Sequence, residues 1–295
     1  MREQVVFFGK SKSLVGVITE PHSASENGCY PAVIILNAGL LHRIGPNRLY
    51  VKIARLMATS GFFVLRFDFS GIGDSNARTD NLPFDKSSIS ETQEAMNYIG
   101  SIRSIKNFIL VGICSGANVA FNTACLDHRV VGVIGINGSY SDSQELEGLN
   151  QYLKNSIKER YYRKNLFNHR SWLRLITGKS NISGIVRFLI NKTKSVLSQN
   201  ENMPFEKIHS MKWSSLINRG VNVFLIYSEG SLALDTFRLL LKNRISGLIT
   251  SGRMIVEVVQ NSDHVFTLLW SQNILIDIIH QWVRDKGRNW IRADS

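Results

Sequence analysis

The sequence from Phe108 to Ala120 reads Phe-Ile-Leu-Val-Gly-Ile-Cys-Ser-Gly-Ala-Asn-Val-Ala. Its apolar start predicts a strand that is buried on both faces, and the residues after Gly116 predict a helix. The central Gly112-Ile-Cys-Ser-Gly116 has the glycine spacing of the strand–turn–helix motif called a nucleophile elbow, with Cys in place of the usual Ser. Such a turn strains the backbone of its central residue, and the glycines leave room for the adjoining strand and helix. The pattern therefore predicts that Cys114 projects from the turn at the positive end of a helix.

Ser115 does not fit this motif, because centring the motif on Ser115 would require glycines where Ile113 and Ala117 stand. A buried cysteine after a glycine turn is the alternative interpretation of the stretch, since free cysteines are common in protein cores. The motifs found elsewhere in the chain favour the nucleophile.

Short apolar runs alternate with segments of helical periodicity over most of the chain. The runs predict strands at residues 5–8, 14–18, 32–36, 62–67, 108–111, 130–136, 221–227 and 254–259. Helices are predicted at 48–60, 88–105, 233–241 and 271–284, and from 117 onward. Strands that alternate with helices indicate an α/β protein with a mostly parallel sheet and helices on both faces.

The positive charge of the chain is concentrated in one segment. The formal net charge is +12 and the pI is near 9.8. Residues 150–200 contain eleven Lys and Arg residues but a single acidic residue, Glu159. The strand–helix alternation stops over residues 140–215, which predict a basic helical insertion between two parts of a core at 1–139 and 216–295.

The composition limits the class of protein and its expected cellular location. Hydrophobic content of 44% and charged content of 20% describe an ordinary globule. No apolar run approaches the roughly 18 residues that span a bilayer, and the first residues do not form a signal peptide. Three cysteines do not indicate a disulfide framework, so we expect a cytoplasmic protein with a reduced Cys114. No Cys/His pair has metal-ligand spacing, and neither a metal nor a cofactor is predicted.

Four motifs in order resemble the α/β-hydrolase family, along nearly the whole chain outside the insertion. They are the loop Asn37-Ala-Gly-Leu40 after the third strand, the turn Asp68-Phe-Ser-Gly-Ile-Gly-Asp-Ser75 after the fourth, the elbow, and Asp263-His264 after the last strand. The resemblance implies an α/β-hydrolase fold in which the basic insertion forms a helical cap. The glycines and Asp68 of the turn are expected to be structural.

Within this family the chain is most similar to the serine-aminopeptidase-like branch, and more narrowly to exosortase-associated hydrolases encoded beside polysaccharide genes. The residues that carry the narrower similarity are Phe67-Asp-Phe-Ser-Gly-Ile-Gly-Asp-Ser75, Gly112-Ile-Cys-Ser-Gly-Ala117 and Ser171-Trp-Leu-Arg-Leu-Ile-Thr-Gly-Lys179.

The resemblance assigns catalytic roles to Cys114 and His264. A thiol at a helix N-terminus beside a histidine has a lowered pKa, and the thiolate attacks thioesters and activated esters readily. His264 would be the base of this pair, and a loop histidine without a role is the alternative. Asp263 is expected to point away from the site and to hold the loop.

The acid of a catalytic triad is less clearly marked. The family places it a few residues after the strand that ends at Tyr227, and the expected position holds Ser231. Asp235 is the first candidate and Glu229 the second, while Asp142 after the preceding strand is a third. Asp235 would equally serve as the negative charge at a helix N-terminus. A Cys–His pair also works without an acid, because a thiol ionises more readily than a hydroxyl.

The remaining site residues follow the same resemblance. An oxyanion hole needs backbone N–H groups, which Ser115 and Leu40 would supply. His42 and Arg43 lie just beyond that loop and are candidates to contact an anionic part of the substrate, or else they are ordinary surface residues.

We therefore expect an acyl hydrolase or acyltransferase that acts on a small-molecule ester or thioester through an acyl-Cys114 intermediate. The basic cap suits three partners: an acyl group on CoA or a pantetheine arm, an acidic carrier protein, or an anionic membrane surface. Nucleic acid is not predicted, because no binding module is recognised. The alternative is a non-catalytic binding or scaffold protein on a decayed hydrolase fold, which the displaced acid and the Ser-to-Cys exchange favour.

Overall fold

The structure is a computed structural model that describes residues 1–22, 30–140, 204–238 and 245–292, with the backbone alone at 204–210, 250 and 287–292. The chain divides into two compact units, one formed by residues 1–140 and 210–295 and the other by 141–209. Most of the predicted cap, its aromatic and basic residues, and Asp142 lie outside the described residues. The helix Pro204–Asn218 crosses the boundary predicted at residue 215.

The first unit is built on an eight-stranded sheet. The strands are β1 (Arg2–Phe8), β2 (Leu14–Glu20), β3 (Ala32–Leu36), β4 (Val64–Phe67), β5 (Phe108–Ile113), β6 (Val130–Ile136), β7 (Asn222–Ser228) and β8 (Met254–Val259). Their order is β1-β2-β4-β3-β5-β6-β7-β8. The pairs β1/β2 and β2/β4 are antiparallel, and all later pairs are parallel. The predicted mostly parallel sheet is confirmed.

The helices connect the parallel strands. In the described residues they are α1 (Leu49–Thr59), α2 (Phe84–Arg103), α3 (Ser115–Leu126), α4 (Pro204–Asn218), α5 (Leu232–Thr236), α6 (Ser246–Thr250) and α7 (Leu269–Arg292). Short 3-10 turns lie at Lys10–Lys12 and Pro46–Arg48. No described helix is both long enough and apolar enough to cross a membrane.

The strands are apolar on both faces because each face of the sheet carries helices. Val33, Ile109 and Ile226 point to the side covered by α1 and α7, and the core there is closed by residues such as Ile53 and Ile279. Alternate residues of the same strands point to the other side, which α2, α3 and α4 cover; they include Ile34, Leu110 and Leu225. This period of two explains why the strands appear in the sequence as uninterrupted apolar runs.

Several element ends differ from the predicted ones. Strand β4 begins at Val64 rather than at residue 62, and α2 begins at Phe84 rather than at 88. Helix α2 starts here because Pro83 precedes it and the Pro83 carbonyl accepts the N–H groups of Lys86 and Ser87. The first turn is mainly polar, so apolar periodicity does not mark it in the sequence. Helix α7 continues to Arg292 instead of ending at 284, through residues that are mainly polar.

Gly112 and Gly116 allow β5 and α3 to join at close range. A Cβ atom on Gly112 would lie 2.6 Å from the backbone nitrogen of Ala117, inside the first turn of α3. A Cβ atom on Gly116 would lie 2.5 Å from the carbonyl oxygen of Asn37 at the end of β3. Both glycines of the predicted elbow are therefore required by direct backbone contact, and the second also brings the loop after β3 against the helix.

Gly112→Ala tests this close approach. The added methyl group overlaps backbone atoms that cannot move away, so we expect the free energy of unfolding to fall by about 1–3 kcal/mol. Urea denaturation measures this difference. Gly247→Ala is the matched control, because no atom lies within 4 Å of its added Cβ and its φ is not positive. Equal unfolding free energies for the two variants would contradict the role assigned to Gly112.

Candidate active site

Cys114 occupies the turn between β5 and α3 in a conformation that side chains rarely adopt. Its backbone has φ 56° and ψ −117°, and the residue is exposed. The Cys114 N–H donates to the carbonyl of Ile136 at 2.8 Å, and the Ile113 N–H donates to the buried hydroxyl of Tyr50 at 3.1 Å. Burial raises the pKa of Tyr50, so the hydroxyl stays protonated. These bonds from β6 and α1 hold the turn from both sides.

The loop after β3 is fastened to the elbow by Ser115. The N–H of Gly39 donates to the Ser115 hydroxyl at 2.7 Å. Ser115 is the first residue of α3, so its own N–H has no acceptor within the helix. In the part of the chain that the structure describes, the Leu40 N–H has no acceptor either. The hydrogen bond from Gly39, the neighbour of Leu40, thus ties the loop to Ser115, and within the described residues both predicted oxyanion residues keep a backbone donor for a ligand.

The same loop is held from the other side by a buried carboxylate. Asp68 is fully buried and accepts the Arg43 N–H at 2.5 Å and the Asn37 amide at 3.2 Å. The Arg43 guanidinium forms ion pairs with Asp68 and, at 2.6 Å, with Asp74. The structural role predicted for Asp68 is confirmed. Because Gly73 passes directly over the Asp68 carboxylate, a side chain at that position would collide with it.

The contacts of Arg43 differ from those expected of a residue that binds an anionic part of the substrate. Its side chain is 16% exposed and is bound to two carboxylates, so it stabilises the loop and is not a free cation for an anionic substrate. His42 is exposed, and its carbonyl accepts the Gly45 N–H at 2.9 Å. Contact between His42 and a substrate stays a prediction.

His264 lies in the loop between β8 and α7. Asp263 accepts the N–H of Val265 at 3.0 Å and of Thr267 at 3.1 Å, and therefore holds the loop as predicted. Phe266 is fully buried and fixes the loop to the core. Burial lowers the pKa of His264, and the negative charge of Asp263 opposes this effect. The ring is therefore neutral at neutral pH.

Asn137 connects this loop to the sheet, and the sequence analysis did not identify it. Its side-chain amide donates to the His264 carbonyl at 2.8 Å, and its side-chain oxygen accepts the Ser228 N–H at 2.8 Å. The side chain is 1% exposed, and φ is 50°. An Asn directly after a buried strand and before a glycine is the signal that was available, since Asn tolerates the left-handed conformation.

Two consecutive residues at the end of β6 therefore hold both parts of the candidate pair. The Ile136 carbonyl binds the backbone of Cys114, and the Asn137 side chain binds the backbone of His264. Within the described residues, the Cys114 sulfur has no hydrogen bond to the ring of His264. Contacts between nucleophile and base are often long in ligand-free enzymes and tighten when the substrate binds.

The partner of His264 is a serine and not a carboxylate. The Ser231 hydroxyl lies 3.3 Å from Nδ1 of His264 and also accepts the Ala233 N–H at 3.1 Å. Glu229 accepts the Asn261 N–H at 2.9 Å and so holds the loop that leads to His264. Asp235 lies on α5, and the hydrogen bond that the described residues give to Nδ1 comes from Ser231. The two carboxylates predicted as the acid do not occupy that position, because Ser231 fills it.

A groove lies away from this candidate site. It encloses about 1010 Å³ between the end of α1 and α7, and its lining includes Tyr30, Ser60, Asp277, His280 and Arg284. None of its lining residues comes from the loops that carry Cys114 or His264. In the described ranges, no group of three or more His, Cys, Asp or Glu side chains is arranged to hold a metal ion.

Comparison with known proteins agrees with this architecture. The family model described as alpha/beta hydrolase fold matches residues 31–173. A serine hydrolase homologue from Coxiella burnetii superposes with a TM-score of 0.56 at 12% identity, covering 94% of this chain and 96% of that one. An esterase from Pyrococcus furiosus gives 0.57 at 14% identity, with coverage of 96% and 90%. A dienelactone hydrolase from Anabaena variabilis gives 0.56 at 11% identity, with coverage of 96% and 97%.

The chain has the α/β-hydrolase fold, as predicted. The family match covers 143 of the 295 residues, and the solved structures share the fold at low sequence identity. No curated protein matches the sequence.

Asn137→Asp tests the connection between the sheet and the histidine loop. The change keeps the size, the left-handed conformation and the acceptor for Ser228, but it replaces the donor to the His264 carbonyl with a repelling oxygen. We expect faster amide hydrogen exchange in residues 261–268 by about tenfold or more, because a buried hydrogen bond is lost. Asn97→Asp, at an exposed position on α2, is the control. Unchanged exchange in the loop would show that Asn137 does not hold it.

The lowered pKa of His264 predicts a pH dependence of stability. An unfolded histidine takes up its proton near pH 6.5, whereas the folded ring does so at lower pH. Between these values the unfolded state binds more protons, so the free energy of unfolding decreases as the pH falls below about 6.5. His264→Gln should flatten this slope in urea denaturation at a series of pH values. His22→Gln, at an exposed position, should leave the slope as in the wild type.

Proposed function

We propose that the protein is an acyl hydrolase or acyltransferase that works through an acyl intermediate on Cys114. The observation that carries the proposal is the elbow: an exposed Cys in a strained turn at the start of α3. Beside it lie the N–H groups of Ser115 and Leu40, which have no acceptor within the described residues. Strain of this kind persists where the surrounding structure enforces it, and it occurs frequently at active sites. The elbow and its hydrogen bonds support a nucleophile better than they support a core cysteine.

The reaction follows from the positions of these groups. The Cys114 proton passes to Nε2 of His264, and the sulfur attacks the acyl carbon of the substrate. The N–H groups of Ser115 and Leu40 stabilise the negative charge that develops on the acyl oxygen. The leaving group departs and takes the proton from Nε2, directly or through water, and water or an acceptor hydroxyl then attacks the thioester formed with Cys114. His264 takes the proton of the attacking group and passes it to the departing sulfur, which restores the thiol.

The charge of the chain supports an anionic carrier for the acyl group. A net charge of +12, concentrated in residues 150–200, suits a thioester on CoA or a pantetheine arm, or an acidic carrier protein. An anionic membrane surface fits the same charge. The resemblance to exosortase-associated hydrolases and a cytoplasmic location belong to this proposal as well. Thioesters are favoured as substrates, because a thiolate exchanges with them more readily than with oxygen esters.

A non-catalytic binding protein is the second candidate. The observation in its favour is that a serine occupies the position at which this fold normally carries an acid. Against it, the elbow glycines, the strained Cys114 and the histidine loop are all maintained by specific contacts. A site without a reaction to catalyse has no need of a strained residue.

Mass spectrometry of the intact protein tests the proposal. Incubation with p-nitrophenyl acetate or acetyl-CoA should give an acetyl adduct on Cys114 in the wild type and none in Cys114→Ala. His264→Ala should slow its formation by about a hundredfold or more, since a general base typically contributes that much.

Cys125→Ala is the matched control, because Cys125, on α3, is the other cysteine among the described residues. It should form the adduct at the wild-type rate. An adduct on Cys125, or on neither cysteine with any acyl donor tested, would favour the binding protein. Decay of the adduct in water alone, compared with decay in the presence of added alcohols, separates hydrolysis from acyl transfer.

A further inference from the structure

Ser231 is built into the site as an uncharged partner of His264. Its side chain is 2% exposed, and its hydroxyl lies between Nδ1 of His264 at 3.3 Å and the Ala233 N–H at 3.1 Å. The Ser231 N–H donates to the Ser228 carbonyl at 3.0 Å, which fixes the backbone next to β7. The hydroxyl is therefore held in place by groups that would equally have held a carboxylate.

Within the described residues, no carboxylate is hydrogen-bonded to the ring of His264. Asp263 is adjacent in sequence, but its oxygens accept hydrogen bonds from Val265 and Thr267. Glu229 is bound to the backbone of Asn261. A hydroxyl can orient the imidazole, either as donor or as acceptor, but it cannot neutralise the positive charge that the ring gains during catalysis.

We propose that Ser231 determines the substrate class of this site, by restricting it to acyl groups whose leaving group departs as a stable anion, thioesters above all. The inference rests on the proposed acyl-Cys114 mechanism. It adds that the neutral partner of His264, and not the nucleophile alone, excludes ordinary oxygen esters.

The balance of the acylation step explains the restriction. The S–H bond of Cys114 breaks, and its proton passes by way of Nε2 of His264 to water or to the leaving group, while a bond forms between the sulfur and the acyl carbon. With a thioester, the proton is released to water, the C–S bond of the substrate breaks, and the leaving thiolate later takes a proton from water. With an alkyl ester, the C–O bond breaks only as Nε2 returns its proton to the leaving oxygen. Only the second route therefore needs imidazolium when the bond breaks, and a carboxylate stabilises this cation by its charge, whereas a hydroxyl only orients the ring.

The same argument accounts for the cysteine. A histidine without a charged partner is a weak base, and a thiol ionises at much lower pH than a serine hydroxyl. The presence of Cys114 and that of Ser231 are therefore related: a thiol can be ionised by a weak base, and His264 is a weak base because its partner Ser231 carries no charge.

The test compares Ser231→Asp with Ser231→Asn, two side chains of nearly equal size that differ in charge. The first readout is the pH dependence of alkylation of Cys114 by iodoacetamide, which needs no substrate. The carboxylate should stabilise the thiolate–imidazolium pair and lower the apparent pKa of alkylation by about one unit or more. Ser231→Asn should leave it near the wild-type value. Equal profiles for the two variants would overturn the proposal, whatever the enzyme hydrolyses.

The second readout is the ratio of kcat/KM for S-ethyl thioacetate to that for ethyl acetate. We expect this ratio to fall by about tenfold or more in Ser231→Asp, through a gain on the oxygen ester, and not to fall in Ser231→Asn. If the buried charge prevents Ser231→Asp from folding, Ser231→Ala is measured instead. Ser231→Ala should lose more activity on the ester than on the thioester. Equal losses on both substrates would mean that Ser231 is merely structural.

A failure of the proposed function is distinguishable from a failure of this inference. If the wild type forms no acyl adduct on Cys114 but the two alkylation profiles differ as expected, the charge relation between Ser231 and His264 stands and the acyl chemistry falls. If the adduct forms but the profiles and the substrate ratio do not respond to the charge at residue 231, the specificity inference alone falls.

Discussion

The left-handed backbone of Cys114 is the constraint on which the rest of the site depends. The turn exists because Gly112 and Gly116 let β5, α3 and the end of β3 approach within backbone contact. That approach brings the Gly39 N–H to the Ser115 hydroxyl, and so fixes the loop that carries the candidate oxyanion donor. Cys114, the N-terminus of α3 and the loop after β3 therefore pack together as one unit. Its geometry is set before any ligand arrives, which is the form of preorganisation that stabilises a developing charge.

The electrostatics of the site are divided between a charged side and a neutral side. On the side of β3, the buried Asp68 and Arg43 neutralise each other and bind the loop by charge-assisted bonds. On the side of β7 and β8, His264 has a hydroxyl as its neighbour, and burial favours its neutral form. Full charges therefore stabilise the loop after β3, while His264 is held in its neutral form.

The sequence was sufficient to predict the sheet, the elbow and the histidine loop, because each depends on local patterns. Apolar runs mark strands that are buried on both faces, and the spacing of Gly112 and Gly116 around Cys114 marks the turn. The role of Arg43 could not be predicted in this way, since its partners Asp68 and Asp74 meet it only in the folded chain. Ser231 and Asn137 were missed as site residues for a related reason. The roles of the Ser231 hydroxyl and the Asn137 amide depend on His264, which lies 33 and 127 residues away in the sequence.

The bonds made by Ile136 and Asn137 have an evolutionary consequence. The inserted segment that interrupts the core leaves the chain a few residues after Asn137, yet the distance between the nucleophile loop and the histidine loop is fixed by this dipeptide at the end of β6. The insertion can therefore lengthen, shorten or change its sequence without retuning that distance. The sequence of the inserted segment and the spacing of the Cys114 and His264 loops become separately heritable traits, so a lineage can change one while the other is inherited unchanged.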